Sequence, residues 1–96
     1  MSDWFVYLVR TNIGSLYTGI STDVERRFQE HQSTGPKGAK SLKGKGPLLL
    51  EFSAKVGDRS LASKLEARIK KMPKSNKEAL VNGRLSLETL LAEIDI

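Results

Sequence analysis

The sequence predicts a small α/β domain of the α+β kind, a three-stranded, mainly antiparallel sheet flanked by helices. Three observations lead there. Two short β-prone runs, Trp4–Val9 and Leu16–Ile20, are separated by a turn signal. Later segments carry apolar residues at helical spacing behind capping residues. The chain has 96 residues, enough for one core and too few for two, so residues 1–96 read as a single domain.

Trp4 to Val9 are uniformly apolar or aromatic, the composition of a strand. Asn12-Ile13-Gly14 follows, and Asn and Gly both tolerate positive φ, so Leu16–Ile20 returns as the second strand of a hairpin. With Thr11 paired to Ser15 across a three-residue loop, Tyr7 lies opposite Gly19 and Val9 opposite Tyr17. Alternation along a strand then puts Tyr7, Tyr17 and Gly19 on one face. A helix starts near Thr22, where Thr22-Asp23-Val24-Glu25 fits a capping box. At about 100° per residue, Arg27 and His31 fall beside the apolar edge set by Val24 and Phe28. Polar groups at such an edge need partners.

Gly35 to Gly46 is a Gly- and Lys-rich loop, too interrupted by glycine for a regular element. Pro47–Phe52 reads as a third, largely buried strand. Asp58 caps a second helix that runs to about Met72 and is limited by Pro73. Its apolar stripe is Leu61, Ala62, Leu65, Ile69 and Met72, with Glu66 on the border. Ser75-Asn76-Lys77-Glu78 fits another capping box, opening a short helix that Gly83 ends. Ser86 caps a last helix with Leu87, Leu90, Leu91 and Ile94 on one face. There is no internal repeat and no stretch long enough to separate domains.

Composition narrows the function classes. No apolar run approaches a membrane span, and no basic-then-apolar leader opens the chain. There is no cysteine, which excludes thiolate zinc sites and cysteine nucleophiles and leans toward the cytoplasm. The formal net charge is +5, and it is concentrated: Lys37 to Lys77 holds twelve Lys or Arg against three acids. The segment from Leu85 carries only Glu88, Glu93 and Asp95. Such a basic region is the footprint of a polyanion partner, and nucleic acid is the expected one. Lys37, Lys40, Lys43 and Lys45 on the glycine-rich loop suit contacts to backbone phosphates, with a solvated loop as the structural alternative. The loop lacks the Gly-Lys-Ser/Thr step of a P-loop.

One ordered set of residues carries chemistry: Val6-Tyr7-Leu8, then Leu16-Tyr17-Thr18-Gly19-Ile20-Ser21, then Arg27 and His31 four apart, then Glu66. This set resembles the pattern of the GIY-YIG nuclease superfamily, and within it the small stand-alone bacterial YhbQ-like branch. The likeness runs from Trp4 through at least the helix of Glu66. It is strongest over Leu16–His31 and over Gly57-Asp58-Arg59-Ser60-Leu61-Ala62. The first triplet departs as Phe5-Val6-Tyr7, and the second as Tyr17-Thr18-Gly19.

The resemblance implies a GIY-YIG fold and an endonuclease that hydrolyses DNA phosphodiester bonds with one Mg²⁺ or Mn²⁺, in DNA repair or recombination. Glu66 would then be the single protein ligand of the metal. Its structural alternative is an i,i+4 pair with Lys70. Arg27 would bind the scissile phosphate through its planar fork, against a same-helix pair with Asp23 or Glu30. Tyr7 and Tyr17 would supply a general base and its holder, with either able to fill either part. A free phenol near pKa 10 needs nearby positive charge to act so. Their alternative is two half-buried strand aromatics. His31 would orient a tyrosine hydroxyl or relay its proton, against a satisfied structural histidine. Gly19 would serve by absence, letting backbone or phosphate approach. DNA is the expected partner, RNA the second candidate. The rival class is a nucleic-acid-binding accessory protein with little nuclease activity, its specificity supplied by a protein partner.

Overall fold

The computed structural model describes residues 3–32, Leu42 and residues 44–94. Lys37, Lys40 and Lys43 lie outside the described residues. The elements are β1 (Trp4–Arg10), β2 (Leu16–Ser21), α1 (Val24–Gln32), β3 (Leu49–Gly57), α2 (Arg59–Lys70), α3 (Lys74–Asn82) and α4 (Leu87–Ile94). The three strands form one antiparallel sheet in the order β2-β1-β3. Among the described residues no helix is long and apolar enough to cross a membrane.

The hairpin has the register that the turn residues dictate. Thr11 N donates to Ser15 O, Gly14 takes φ 84°, and Tyr7 faces Gly19 while Val9 faces Tyr17. Strand β1 is central and covered on both faces, which explains its unbroken apolar run. Val6 and Leu8 point one way, onto Leu65 and Ile69 of α2, Met72, Leu80 of α3 and Leu90 of α4. Tyr7 and Val9 point the other way, into a smaller cluster with Leu42 and Leu48, flanked by Tyr17, Val24, Phe28 and Leu50. The sheet therefore separates a large apolar core from a smaller chamber under α1.

Local chemistry moves several boundaries. Helix α1 is capped by Asp23, not Thr22: Asp23 Oδ1 accepts from Arg26 N, and Asp23 N donates to Ser21 Oγ. Asp58 caps α2 by accepting from Leu61 N at 2.8 Å, a contact of about 1 kcal/mol. Helix α3 has Pro73 at its N-cap and no side-chain cap, so the Ser75 capping box does not form. Glu78 is drawn away by Arg10 instead, with Oε1 and Oε2 accepting at 2.6 and 2.7 Å. Gly83 ends α3 at φ 84°, and Ser86 Oγ caps α4 by accepting from Thr89 N. Strand β3 starts at Leu49 and continues past Phe52 to Gly57. It is an edge strand whose residues are half-buried or exposed, not the largely buried strand that its Leu-rich start suggests.

The end of the glycine-rich loop is tied down. Asn12 N donates to Lys45 O at 2.9 Å, and Asn12 Nδ2 to Gly46 O at 3.1 Å. Leu42 is buried beside Tyr7 and Val9. Gln32, the last residue of α1, holds both backbone groups of Leu48. The lower chamber is thereby closed by α1, Leu42 and the 44–48 segment.

Candidate active site

The site is built around a residue on the middle strand. Tyr7 is 1% exposed, and its hydroxyl lies 2.8 Å from His31 Nε2. Helix α1 delivers His31 because it packs Val24 and Phe28 on the sheet; the next turn then points inward, and His31 is 4% exposed. Tyr17, from β2, sets its ring edge-on to His31 with centroids 5.5 Å apart. The Tyr7 and His31 rings lie 6.0 Å apart.

Gly19 makes this arrangement possible. A Cβ there would overlap the Tyr7 ring at Cζ and at the hydroxyl. What uses the space beside Gly19 is thus the Tyr7 ring, rather than the backbone or phosphate that the sequence suggests. Any side chain at this position would push Tyr7 off its path to His31.

Arg27 and Glu30 complete the cluster. Arg27 Nη1 donates to Glu30 Oε1 at 2.9 Å, so of the two same-helix partners the sequence offers it takes Glu30. Its charge also bears on the Tyr7 hydroxyl, and its side chain is partly exposed. The bond to Glu30 outweighs the opposing effect of burial and holds the guanidinium charged. Glu30 is a site residue that sequence reasoning weighed only as Arg27's structural partner. Its spacing, one residue before His31, was the available signal.

The electrostatics follow from this crowding. Burial, then the neighbouring Tyr17, push the Tyr7 hydroxyl up to about 12, and Glu66 adds to the push. The Arg27 charge pulls the other way without cancelling the shift. Burial and the Arg27 charge hold His31 below the usual imidazole range, and Glu30 offsets them in part. His31 is therefore neutral at pH 7. A neutral imidazole has one bare nitrogen, and in the tautomer with Nε2 bare the Tyr7 hydroxyl donates to it.

Glu66 stands on α2, the helix on the other face of the sheet, and its charge is the last of the influences on the Tyr7 hydroxyl. It sits beside the buried stripe of Ala62, Leu65 and Ile69, and its carboxylate remains 24% exposed. Lys70 Nζ lies 3.4 Å from its Oε2, the i,i+4 pair that the spacing allows. Among the described residues no three His, Asp or Glu side chains converge, so no all-protein metal cage forms there. An exposed carboxylate of this kind suits a hard cation that takes its other ligands from water and phosphate oxygens.

The structure thus brings Tyr7, Tyr17, Gly19, Arg27 and His31 together, while Glu66 stands apart on α2 and bears on Tyr7 through its charge. Lys45 is elsewhere, at the hairpin-turn end of the sheet, fixed through its backbone to Asn12. Thr18 is a further residue that the sequence did not flag. Its hydroxyl is buried on the α2 face and has no hydrogen-bond partner among the described residues.

Residues 3–79 match the model of the GIY-YIG catalytic domain. The UPF0213 protein YhbQ of Salmonella typhimurium (strain LT2) is 55% identical over 94 residues, covering 98% of this chain and 92% of that protein. A UPF0213 protein of Citrobacter koseri is 54% identical over the same coverage. Among solved structures, the solution structure of the UPF0213 protein BH0048 from Bacillus halodurans is similar, with 36% identity, a TM-score of 0.53 and coverage of 83% of each chain.

Proposed function

The chain belongs to the GIY-YIG catalytic-domain family, and from that membership we propose that it is an endonuclease hydrolysing DNA phosphodiester bonds with Mg²⁺ or Mn²⁺ at Glu66. The observation that carries the reading is the buried Tyr7–His31 hydrogen bond, with the charges of Arg27 and Glu66 both felt at the phenol. A pair of buried hydrophobic aromatics would need neither.

A divalent ion on the Glu66 carboxylate would supply charge neutralisation at the phosphate and a more acidic water. The protein's own residues do the rest. Arg27 presents a planar fork whose position is set by Glu30, so it can meet a phosphate oxygen without reorganising. Tyr7 handles the attacking water, but not as a free phenolate. A phenol near 12 beside an imidazole below 6.5 leaves the ion pair unpopulated. A relay avoids that cost. The water proton passes to the Tyr7 oxygen while the Tyr7 proton passes to His31 Nε2. The water oxygen bonds to phosphorus as the leaving oxygen departs and takes a proton from solvent. His31 ends as imidazolium and returns its proton to solvent after the product leaves. Tyr17 packs edge-on against His31 and limits the ring's rotation.

A second reading has one observation in its favour. The elevated Tyr7 hydroxyl is a poor base by itself, which fits a nucleic-acid-binding accessory protein with little intrinsic nuclease activity. One experiment separates the two. Purified protein is incubated with supercoiled and branched DNA and Mg²⁺, Mn²⁺ or EDTA, beside Glu66→Ala. Metal-dependent nicking by wild type, reduced to background in Glu66→Ala, is the nuclease result. Salt-sensitive binding without nicking by either is the accessory-protein result and rejects the nuclease.

A further inference from the structure

We propose that the flank of α2 facing β2 is a phosphate-contacting rail for a DNA strand, formed by Arg59, Lys70 and, across the turn, Lys74. The inference rests on the nuclease reading only for the position of the cut, at Glu66.

The topology sets the rail's course. Helix α2 begins beside Gly57, which pairs with Trp4, so it starts at the Trp4 end of the sheet. It finishes at the hairpin-turn end, where a Cβ on Gly14 would lie 3.7 Å from Lys74 Nζ. At about 100° per residue, Arg59, Glu66 and Lys70 share one arc of about 40°. The opposite flank holds Arg68, which is bound to Glu93 of α4 at 2.8 Å. That flank belongs to the helical side of the core. The flank with Glu66 looks over β2, the strand that α2 packs against most, whose outer edge pairs with no other strand among the described residues.

The spacing and the state of each cation fit a polyanionic strand. Arg59 stands about 10 Å before Glu66 along the helix and Lys70 about 6 Å after it. Those are distances that a nucleic-acid strand covers in two to three phosphates. The Arg59 guanidinium is stacked 5.4 Å over the Trp4 ring. Stacking restrains it while leaving its edge N–H groups for phosphate oxygens. Lys70 and Lys74 are 53% and 60% exposed. Glu78, the nearest acid to Lys74, is 4.0 Å away and already held by Arg10 on both oxygens. Three other exposed cations among the described residues lie off this line. Lys55 is on the far edge strand beside Asp3, Lys64 points about 140° round the helix from Arg59, and Arg84 follows α3.

The test is equilibrium binding of a fluorescent DNA duplex in EDTA across a salt series, followed by nicking in Mg²⁺. The rail variant is Arg59→Gln/Lys70→Gln/Lys74→Gln. Lys70→Gln/Lys74→Gln retains the Trp4 stack in case the triple variant misfolds. The charge-matched control is Lys55→Gln/Lys64→Gln/Arg84→Gln. Each lost contact should flatten the slope of log K against log salt by about 0.9, while the control keeps the wild-type slope. Equal flattening in rail and control variants, no flattening in either, or no wild-type binding at low salt would overturn the rail. Flattening without nicking by wild type keeps the rail and removes the nuclease. Nicking by wild type with an unflattened rail variant does the reverse.

Discussion

Strand β1 carries two polar centres three residues apart, one on each face, and they differ in what they leave unsatisfied. On the core side, Arg10 donates Nε to Glu51 at 2.7 Å, Nη1 to Gly14 O and Glu78, and Nη2 to Glu78. Two carboxylates surround one guanidinium, and its proton is held more tightly than in free arginine, first by Glu78 and then by Glu51. The Glu78 carboxyl is held correspondingly below its usual range. Arg10 and Glu78 are thus held in the charge states that they would have in water. On the α1 side, Tyr7 and His31 both have their neutral forms favoured by burial, and a charged Arg27 stands beside them. Both centres have shifted titrations, so a shift alone does not mark function. The useful distinction is direction: Arg10 is made more inert, whereas the proposed mechanism has the Tyr7–His31 pair pass a proton.

Breaking the second centre should cost activity, and breaking the first should cost stability. A large effect is expected from Gly19→Ala, whose Cβ must displace the Tyr7 ring. Misplacing a reacting group by about 1 Å can cost about 10²-fold, so nicking should fall on that scale. Overpacking should also lower stability by about 1–3 kcal/mol, read by denaturant unfolding. Full activity would show that Tyr7 does not need its present position. Arg10→Met should lower the melting temperature, because it strands Glu51 and Glu78 together, yet leave the nicking rate of the folded protein near wild type. Lost nicking with an unchanged melting temperature would reverse the assignment of the two centres. The smallest effect belongs to Thr18→Val, which removes a buried unpartnered hydroxyl without changing shape. It should raise stability by about 1 kcal/mol, seen as a higher melting temperature, and a lower one would mean that the hydroxyl has a partner.

How these centres relate to the sequence is instructive. The α1-side centre was largely legible, because its pieces are tied by short-range rules. Asn12-Ile13-Gly14 fixes the hairpin register and so the Tyr7–Gly19 contact. The i,i+4 spacing brings Arg27 and His31 to one side of α1. The Arg10 centre was not legible, because its partners lie 41 and 68 residues away. The available clue was alternation: Val6 and Leu8 face the core, so Arg10 must face it too and must find acids there. The same long-range pull explains the missing capping box of α3, since Glu78 gains more from Arg10 than from a helix end. The Thr22 and Asp23 ambiguity is of another kind. Two adjacent cap-formers compete, and Ser21 settles the choice by accepting from Asp23 N. The extent of β3 was hidden because an edge strand alternates polar and apolar residues, as Ser53 and Lys55 do between Phe52, Ala54 and Val56.

The pH dependence of single-turnover nicking tests the central claim most directly. If neutral His31 is the final proton acceptor, the rate should be level from pH 7 upward and fall only below about 6.5, because burial holds the imidazole under that value. Phenylalanine at Tyr7 should then abolish the plateau. A rate that keeps climbing toward pH 10 and beyond would contradict this, and would mean that a tyrosinate, not the Tyr7–His31 relay, takes the proton from water.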